Sequence, residues 1–412
     1  MLINPQINYR HWVTISAFFV LIGCASYQSK VGSARSDMEQ GRYTEAVASL
    51  KEKVDEASGD RLAYLLEYAT VLHQAGRYKE SNKAFLEADK IAEINDYTSI
   101  SREFGAVMLQ EGLAQFKVET FEFLLINIYQ ALNYIMLGDY ENAQVMGRRL
   151  NDKLNKIEMD GDSKKRQNVF AMYLAGMMWE AQGDSDNAQI MYSRAHALMP
   201  EIKVLRRDWL ISAQRSQRPD TVRKITKKYP YLRRAYDWKK LRGQGELVFI
   251  FQQGWAPRKR ARPENRRFPM VARVSSDYSR AEVSTGKASI LSSERVYDLD
   301  IISRQVLEAN FAILLAKKAA GIAAKATLGH QMNKKNPGLG DLLFIALDAA
   351  DQADLRQWST LPASFQVART YLTPGKHQVK IRALGRGGPK ILWEGEVDIV
   401  KGKKVFITQR AF

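Results

Sequence analysis

Gly183-Asp184-Ser185-Asp186-Asn187-Ala188, followed by Tyr192, Ala195 and Pro200, is one of four copies of a single pattern in the first half of the chain. The others are Gly41-Arg42-Tyr43-Thr44-Glu45-Ala46 with Leu50, Gly76-Arg77-Tyr78 with Phe85 and Ala88, and Gly138-Asp139-Tyr140-Glu141-Asn142-Ala143. In each copy the glycine suits a tight turn. The alanine lets a neighbouring helix approach, and the bulky residue about four positions on fills the groove between helices. The turns lie 35, 62 and 45 residues apart, so the array is irregular. The gap after Ala88 is expected to hold two extra helices, around Tyr97 to Phe104 and Ala106 to Glu119, and a loop near Asp160 to Lys165 lengthens the third unit.

This pattern resembles the tetratricopeptide (TPR) repeat, a helix–turn–helix of about 34 residues. The fourth copy is the fullest, with Gly176 and Trp179 also at the family's positions and Pro200 closing it, and the second fits from Ala69 through Ala88. The resemblance covers roughly residues 37 to 200. It implies stacked helix pairs with a concave surface lined by the first helix of each pair. The family register places Leu66, Thr70 and His73 on that surface in the second unit, and Tyr173, Met177 and Glu180 in the fourth. Such a face suits an extended peptide or a partner's helix, so a protein partner is the expected ligand.

The chain carries a net charge of +17, but the excess is local. Residues 201 to 280 hold 22 Lys and Arg against 7 Asp and Glu, which accounts for nearly all of it. Lys203 to Ser216 reads as a helix closing the array, with Val204, Leu205, Trp209 and Leu210 as its apolar side. Beyond it, basic and aromatic residues interleave from Val222 to Leu241. A second cluster, Arg258, Lys259, Arg260 and Arg262, runs on to Arg266 and Arg267 between Pro257 and Pro263. Clusters of this kind suit an anionic surface: phospholipid headgroups, lipopolysaccharide phosphates or acidic glycans such as peptidoglycan.

At about Gly243 the composition turns to strand formers. Glu246 to Gln253 and Pro269 to Ser275 read as strands, as do Phe365 to Leu372, His377 to Leu384, Ile391 to Val400 and Lys403 to Arg410. Val379, Ile381 and Ala383 alternate with Lys380 and Arg382, so one face is buried and one is wet. Short strands with Gly and Pro turns suggest a small antiparallel β-sandwich. Between the strand groups a helical insertion is expected, from Asp298 to about Gly329 and from Asp341 to about Asp351. The stretch Asp354-Leu355-Arg356-Gln357-Trp358-Ser359-Thr360-Leu361-Pro362 is similar to part of a group of uncharacterised bacterial repeat-containing lipoproteins, which carries no known activity.

The chain's one cysteine closes Leu21-Ile22-Gly23-Cys24, after an apolar run from Trp12 to Ile22 preceded by Arg10 and His11. The run has the length of a secretory core and is too short to span a bilayer. An unpaired thiol is a liability in an oxidising compartment, so its place beside a processing site is informative. These residues resemble the bacterial lipoprotein signal. That resemblance implies that Cys24 is acylated, by palmitate among other chains, and becomes residue one of the mature protein. Ala25, in the place where the family's retention signal has Asp, implies sorting to the outer membrane with the body on the periplasmic face. Nucleic acid is not an expected partner there.

The five histidines, His11, His73, His196, His330 and His377, are scattered, and none has a partner at metal-ligand spacing. Motifs for zinc hydrolysis, a nucleophile elbow or a phosphate loop are absent from the sequence. Asp160-Gly161-Asp162 and Asp184-Ser185-Asp186 lack the Gly and Glu of a calcium loop. No cofactor, metal site or catalytic residue is expected, and the chain is not expected to be an enzyme.

The sequence thus describes an α+β multidomain protein. Residues 1–23 are a signal peptide, 24–36 a flexible tether, 37–216 an α-solenoid of TPR-like pairs and 217–245 a basic linker. Residues 246–412 form a β-rich domain with a helical insertion at 298–351. The expected role is a lipid-anchored periplasmic adaptor whose groove binds a protein of envelope assembly, in peptidoglycan synthesis or in secretion or surface-polymer export. A glycan- or lipid-binding module and a cell-wall enzyme are the alternatives.

Overall fold

The computed structural model describes residues 25–57, 59–106, 116–159, 168–286, 290–335, 338–342 and 353–412. Cys24 and the segment before it lie outside the described residues, as do 160–167 and 343–352. The helices of the first half are α1 (Ala25–Glu39), α2 (Tyr43–Glu56), α3 (Arg61–Gln74), α4 (Tyr78–Ala106), α5 (Thr120–Met136), α6 (Tyr140–Met159), α7 (Val169–Ala181), α8 (Ser185–Leu198) and α9 (Lys203–Arg215). Three shorter ones follow: α10 (Pro219–Lys228), α11 (Pro230–Ala235) and α12 (Trp238–Leu241).

The glycine turns are where the sequence puts them. Gly41, Gly76, Gly138 and Gly183 have φ of 74°, 74°, 71° and 86°. At each, the residue after the glycine returns a hydrogen bond deep into the preceding helix: Arg42 to Asp37, Arg77 to Leu72, Asp139 to Tyr134, and Asp184 to Trp179. This is the bond that satisfies a helix's last carbonyls when the chain turns left-handed. A fifth turn of the same geometry was not legible. Arg218 bonds back to Ala213, and Gln217 takes the left-handed place at φ 53°. The expected closing helix therefore begins a further pair, α9 with α10. Gly176 fits its repeat role, because a methyl there would sit 2.4 Å from the Tyr192 ring.

Two expectations are corrected. The supposed tether is helix α1, which buries Tyr27, Val31, Ala34 and Met38 against its neighbours. Small polar residues suggested flexibility, but four apolar side chains at helical spacing decide the matter. The two helices expected after Ala88 are also revised. Tyr97 to Phe104 continues α4, and residues 116–119 are non-helical, with 107–115 outside the described residues.

The second half contains β1 (Gly245–Gln253), β2 (Arg258–Ala261), β3 (Pro269–Ala272), β4 (Tyr278–Thr285), β5 (Ile290–Ser292) and β6 (Glu294–Asp298). Helix α13 (Leu299–Lys335) and strands β7 (Ser364–Leu372), β8 (Gly375–Gly385), β9 (Lys390–Ile399) and β10 (Lys404–Ala411) complete it. Two four-stranded sheets form, in the orders β10-β1-β7-β6 and β5-β4-β8-β9, beside a β2–β3 hairpin. Leu247, Phe249, Phe251, Val283, Val379, Ile381 and Ile399 share one core between the sheets. The sheets are not wholly antiparallel as expected, since β1 and β10 pair in parallel.

The alternate residues of the first sheet, Val248, Ile250, Phe365, Val367 and Phe406, belong to the core of the helical array. Every residue of β1 is buried, because helices cover one face of this sheet and the second sheet covers the other. The molecule is thus layered: helices, first sheet, second sheet.

Candidate functional site

The concave face of the array is the candidate site. Leu66, Thr70, His73, Tyr173, Met177 and Glu180, which the repeat register assigns to it, are all buried, so it is not open. Each is at most 3% exposed. The chain's own second half fills the groove in three places, so the expected free groove is corrected.

In the first, the irregular segment 353–363, with a turn at Ser359 and Thr360, lies against α3 and α5. Trp358 is its anchor, 1% exposed, packed against Phe85 and Tyr129, with its indole N–H donated to Thr70 Oγ1 at 2.8 Å. Glu67 of α3, buried, accepts the Ser359 and Thr360 backbone N–H groups at 2.7 and 2.8 Å, the Ser359 hydroxyl at 2.8 Å and the Tyr27 hydroxyl at 3.1 Å. Burial pushes the Glu67 carboxyl up, against the pull of the Ser359 and Thr360 bonds. Glu122 of α5 accepts the Trp358 N–H at 3.2 Å and closes a capping box with Glu119. Burial pushes it up to about 7, with the nearby Glu119 adding to and Lys259 opposing the shift. At the segment's start Arg356 bridges Asp354 and Asp60 at 2.7 and 2.6 Å. The contacts are those of a peptide in a repeat groove: backbone amides gripped by side chains, with one aromatic anchor.

In the second, His73 donates Nδ1–H to Asn133 Oδ1 at 2.6 Å and accepts from Gln252 Nε2 of β1 at 3.0 Å. Gln252 also accepts from the Tyr129 hydroxyl at 2.9 Å. Burial, reinforced by the charge of Arg410, pushes His73 down to about 4. The fold thus holds a neutral imidazole, and its stabilising contribution, complete above pH 6.5, is lost as pH falls toward 4. Buried His196, also lowered to about 4, acts in the same direction. Glu122 acts in the opposite one. Urea unfolding between pH 6.5 and 5 is therefore expected to show His73→Gln with a shallower loss on acidification than wild type. The difference should approach 1.4 kcal/mol per pH unit; parallel curves would refute the assignment.

In the third, Arg369 of β7 is fully buried beneath α7 and α9. Its guanidinium reaches Glu246 of β1 through Nε and Nη2 at 2.8 Å each, Glu180 at 2.8 Å and Asp208 at 2.7 Å. Lys404 of β10 pairs with Glu180 at 3.1 Å and with Glu246. Tyr173 donates its hydroxyl to Asp208, and Arg207 donates to the Arg369 carbonyl at 2.7 Å. Burial alone would raise Glu180 and Glu246. The charges of Lys404 and Arg369 outweigh it and hold both below the usual carboxylate range.

The basic cluster is dispersed. Lys259 pairs with Glu119 at 3.3 Å, Arg258 is half-buried, and Arg262 stacks on Phe311 at 4.6 Å while donating to the Pro269 carbonyl. Arg260 and Arg266 are exposed and Arg267 is half-buried. The expected loop is largely the β2–β3 hairpin, whose alternation of Arg and Lys hid a strand. Helix α13, about 55 Å long at 1.5 Å per residue, packs on the body through Val306 and Phe311, and further along it Lys318 and Lys325 are buried as well, so one face of the helix is covered. Ile313 and Leu315 are 57% and 50% exposed, and Leu328 and Met332 are also exposed. No described helix is long and apolar enough to cross a membrane. Among the described residues no three His, Cys, Asp or Glu side chains gather to hold a metal ion.

Neither a family model nor a curated protein matches the chain. Solved structures similar to it include MamA MSR-1 C2, at 15% identity over 50% of this chain and 94% of that one, with a TM-score of 0.32. Another is the MamA RS-1 ArsTM double mutant, at 14% identity over 51% and 96%, with a TM-score of 0.35. A putative kinesin light chain from Podosopora anserina, with nearly identical TPR-like repeats, is 13% identical over 50% and 95%, with a TM-score of 0.35. The repeat assignment stands on the recurring turns and helix pairing described above.

Proposed function

We propose that this protein is a non-enzymatic scaffold, tethered by lipid at Cys24 to the outer membrane and facing the periplasm, which holds a protein partner of envelope assembly. The repeat array supports the scaffold reading, because stacked helix pairs present extended faces to other chains. The filled groove changes where the partner docks. Buried ion pairs and a buried Trp lock the concave face to the chain's own second half. The partner then meets what remains exposed, and α13 is the feature that carries this reading. Ile313, Leu315, Leu328 and Met332 are exposed along it, as are Lys334 on the same helix and Arg260 and Arg266 of the β2–β3 hairpin. A complementary partner is apolar at the centre and acidic at the rim.

Photocrosslinkers placed at Ile313 and Leu315 are expected to capture a reproducible envelope protein, whereas one at exposed Ile190 on α8 captures none. Capture of lipid or lipopolysaccharide alone at those positions would favour the anionic-surface reading instead, and no capture would remove the docking arm. The anchor has its own test. Radiolabelled palmitate is expected to enter the wild-type product and to be lost in Cys24→Ser; equal labelling would overturn the tether.

A further inference from the structure

We infer that the small cavity where α1, β2 and the groove segment meet is a chloride site, held by the guanidiniums of Arg35 and Arg258. The cavity has a volume of about 20 Å³ and is lined by Tyr27, Gln28, Arg35, Arg258, Gln357 and Ser359, with Gly32 at its edge. A water-sized species needs at least about 10–15 Å³ in this measure, so the space admits about one small monatomic ion.

The donors in this cavity outnumber the acceptors. Arg35 is 3% exposed, and its Nε and Nη2 find no hydrogen-bond partner; buried Arg258 Nε finds none either. The other lining groups are committed elsewhere. Tyr27 donates to Gln357 O at 2.8 Å and to Glu67, Gln28 Nε2 donates to Lys259 O at 3.0 Å, Ser359 Oγ donates to Glu67, and Gln357 Nε2 donates to Pro257 O at 3.0 Å.

Nearby Glu67 and Glu39 offset the charge of Arg35 only in part, since burial with Arg258 and Arg410 outweighs them. Glu67 already accepts from Tyr27, Ser359 and Thr360, and Glu39 accepts from the Trp255 indole at 2.5 Å. Trp255 instead fixes the cations, with Arg35 over its ring at 4.3 Å and Arg410 at 4.4 Å. Three guanidiniums thus converge on a region with two carboxylates. Burial, with the charges of Arg258 and Arg410, lowers Arg35 to about 9, which reflects the same excess of positive charge. Unpaired buried charge is costly, and a monovalent anion between Arg35 and Arg258 offsets both the desolvation and the mutual repulsion. The ion would tie the first helix and the basic hairpin to the segment that fills the groove. This inference does not rest on the scaffold reading.

The test uses the full chain with chloride alone as the probe. Chlorine-35 NMR is expected to show excess line broadening that saturates with protein, and the excess is lost in Arg35→Gln/Arg258→Gln. Thermal unfolding is expected to shift upward saturably with sodium chloride but not with sodium gluconate at equal ionic strength. Equal broadening in both proteins, or equal stabilisation by gluconate, would mean that the cavity holds water only. Should the double variant fail to fold, wild-type crystals soaked in bromide decide the matter. An anomalous peak beside Arg35 Nε supports the site, and its absence overturns it.

Discussion

Replacing Arg369 by Ala is expected to destabilise the protein by about 3–5 kcal/mol, because it leaves buried acids without their common partner. Arg369 touches α7, α9 and β1 at once, through Glu180, Asp208 and Glu246. Lys404 compensates Glu180 and Glu246 in part, and Arg207 pairs with Asp208, but neither restores the planar fork that meets all three. Arg369→Lys is therefore expected to rescue little.

The pH signature separates this from simple loss of packing. In wild type, Glu180 and Glu246 are held below 4.5. Their contribution is complete above that value and is lost as pH falls beneath it. In Arg369→Ala, burial becomes the leading influence and raises these carboxyls, so part of the lost stability should return between pH 7 and 5. Urea unfolding followed by circular dichroism at both pH values measures this. A loss below about 1 kcal/mol, or one that does not change with pH, would show that the network is not what joins the halves.

The second large effect is at Trp358. Trp358→Ala is expected to cost about 3–5 kcal/mol, from lost transfer energy and the cavity left behind. It also removes the anchor of the groove segment while leaving the grip of Glu67 and Glu122 on its backbone amides. Hydrogen exchange should then rise selectively in residues 353–363 and in the facing turns of α3 and α5. A synthetic peptide of sequence 354–362 is expected to raise the unfolding temperature of the variant and to leave wild type unmoved. A peptide without effect on the variant would argue that Trp358 is core packing and that the groove has no peptide-binding capacity of its own.

Local features of the chain were largely legible. Glycine-centred turns at Gly41, Gly76, Gly138 and Gly183 announced the helix pairs, since few other residues take a left-handed conformation at no steric cost. The alternation in Val379, Ile381 and Ala383 announced a sheet with one buried face. The turn at Gln217 escaped because it lacks the glycine. Strand β2 escaped because four residues rich in Arg and Lys read as a solvated loop. The tether escaped because Tyr27, Val31, Ala34 and Met38 are few and widely spaced.

What the groove contains was not legible, and the reason is physical. Register assigns Leu66, Thr70, His73, Tyr173, Met177 and Glu180 to the inner face, and all six are buried. Whether an inner face meets solvent, a partner or the same chain depends on contacts hundreds of residues apart, such as Glu67 with Ser359 or Glu180 with Arg369. One signal was present: Glu67, Glu122 and Glu180 are acidic residues on otherwise apolar helices, and a buried carboxylate requires a partner. The sequence alone therefore determined the helix pairs, the strands' buried faces and which side chains turn inward, all of them short-range consequences of backbone geometry and side-chain period. Only tertiary structure decided that the second half fills the concave face, because matching buried charges and one Trp to their sockets is a property of the assembled surfaces and of no local pattern.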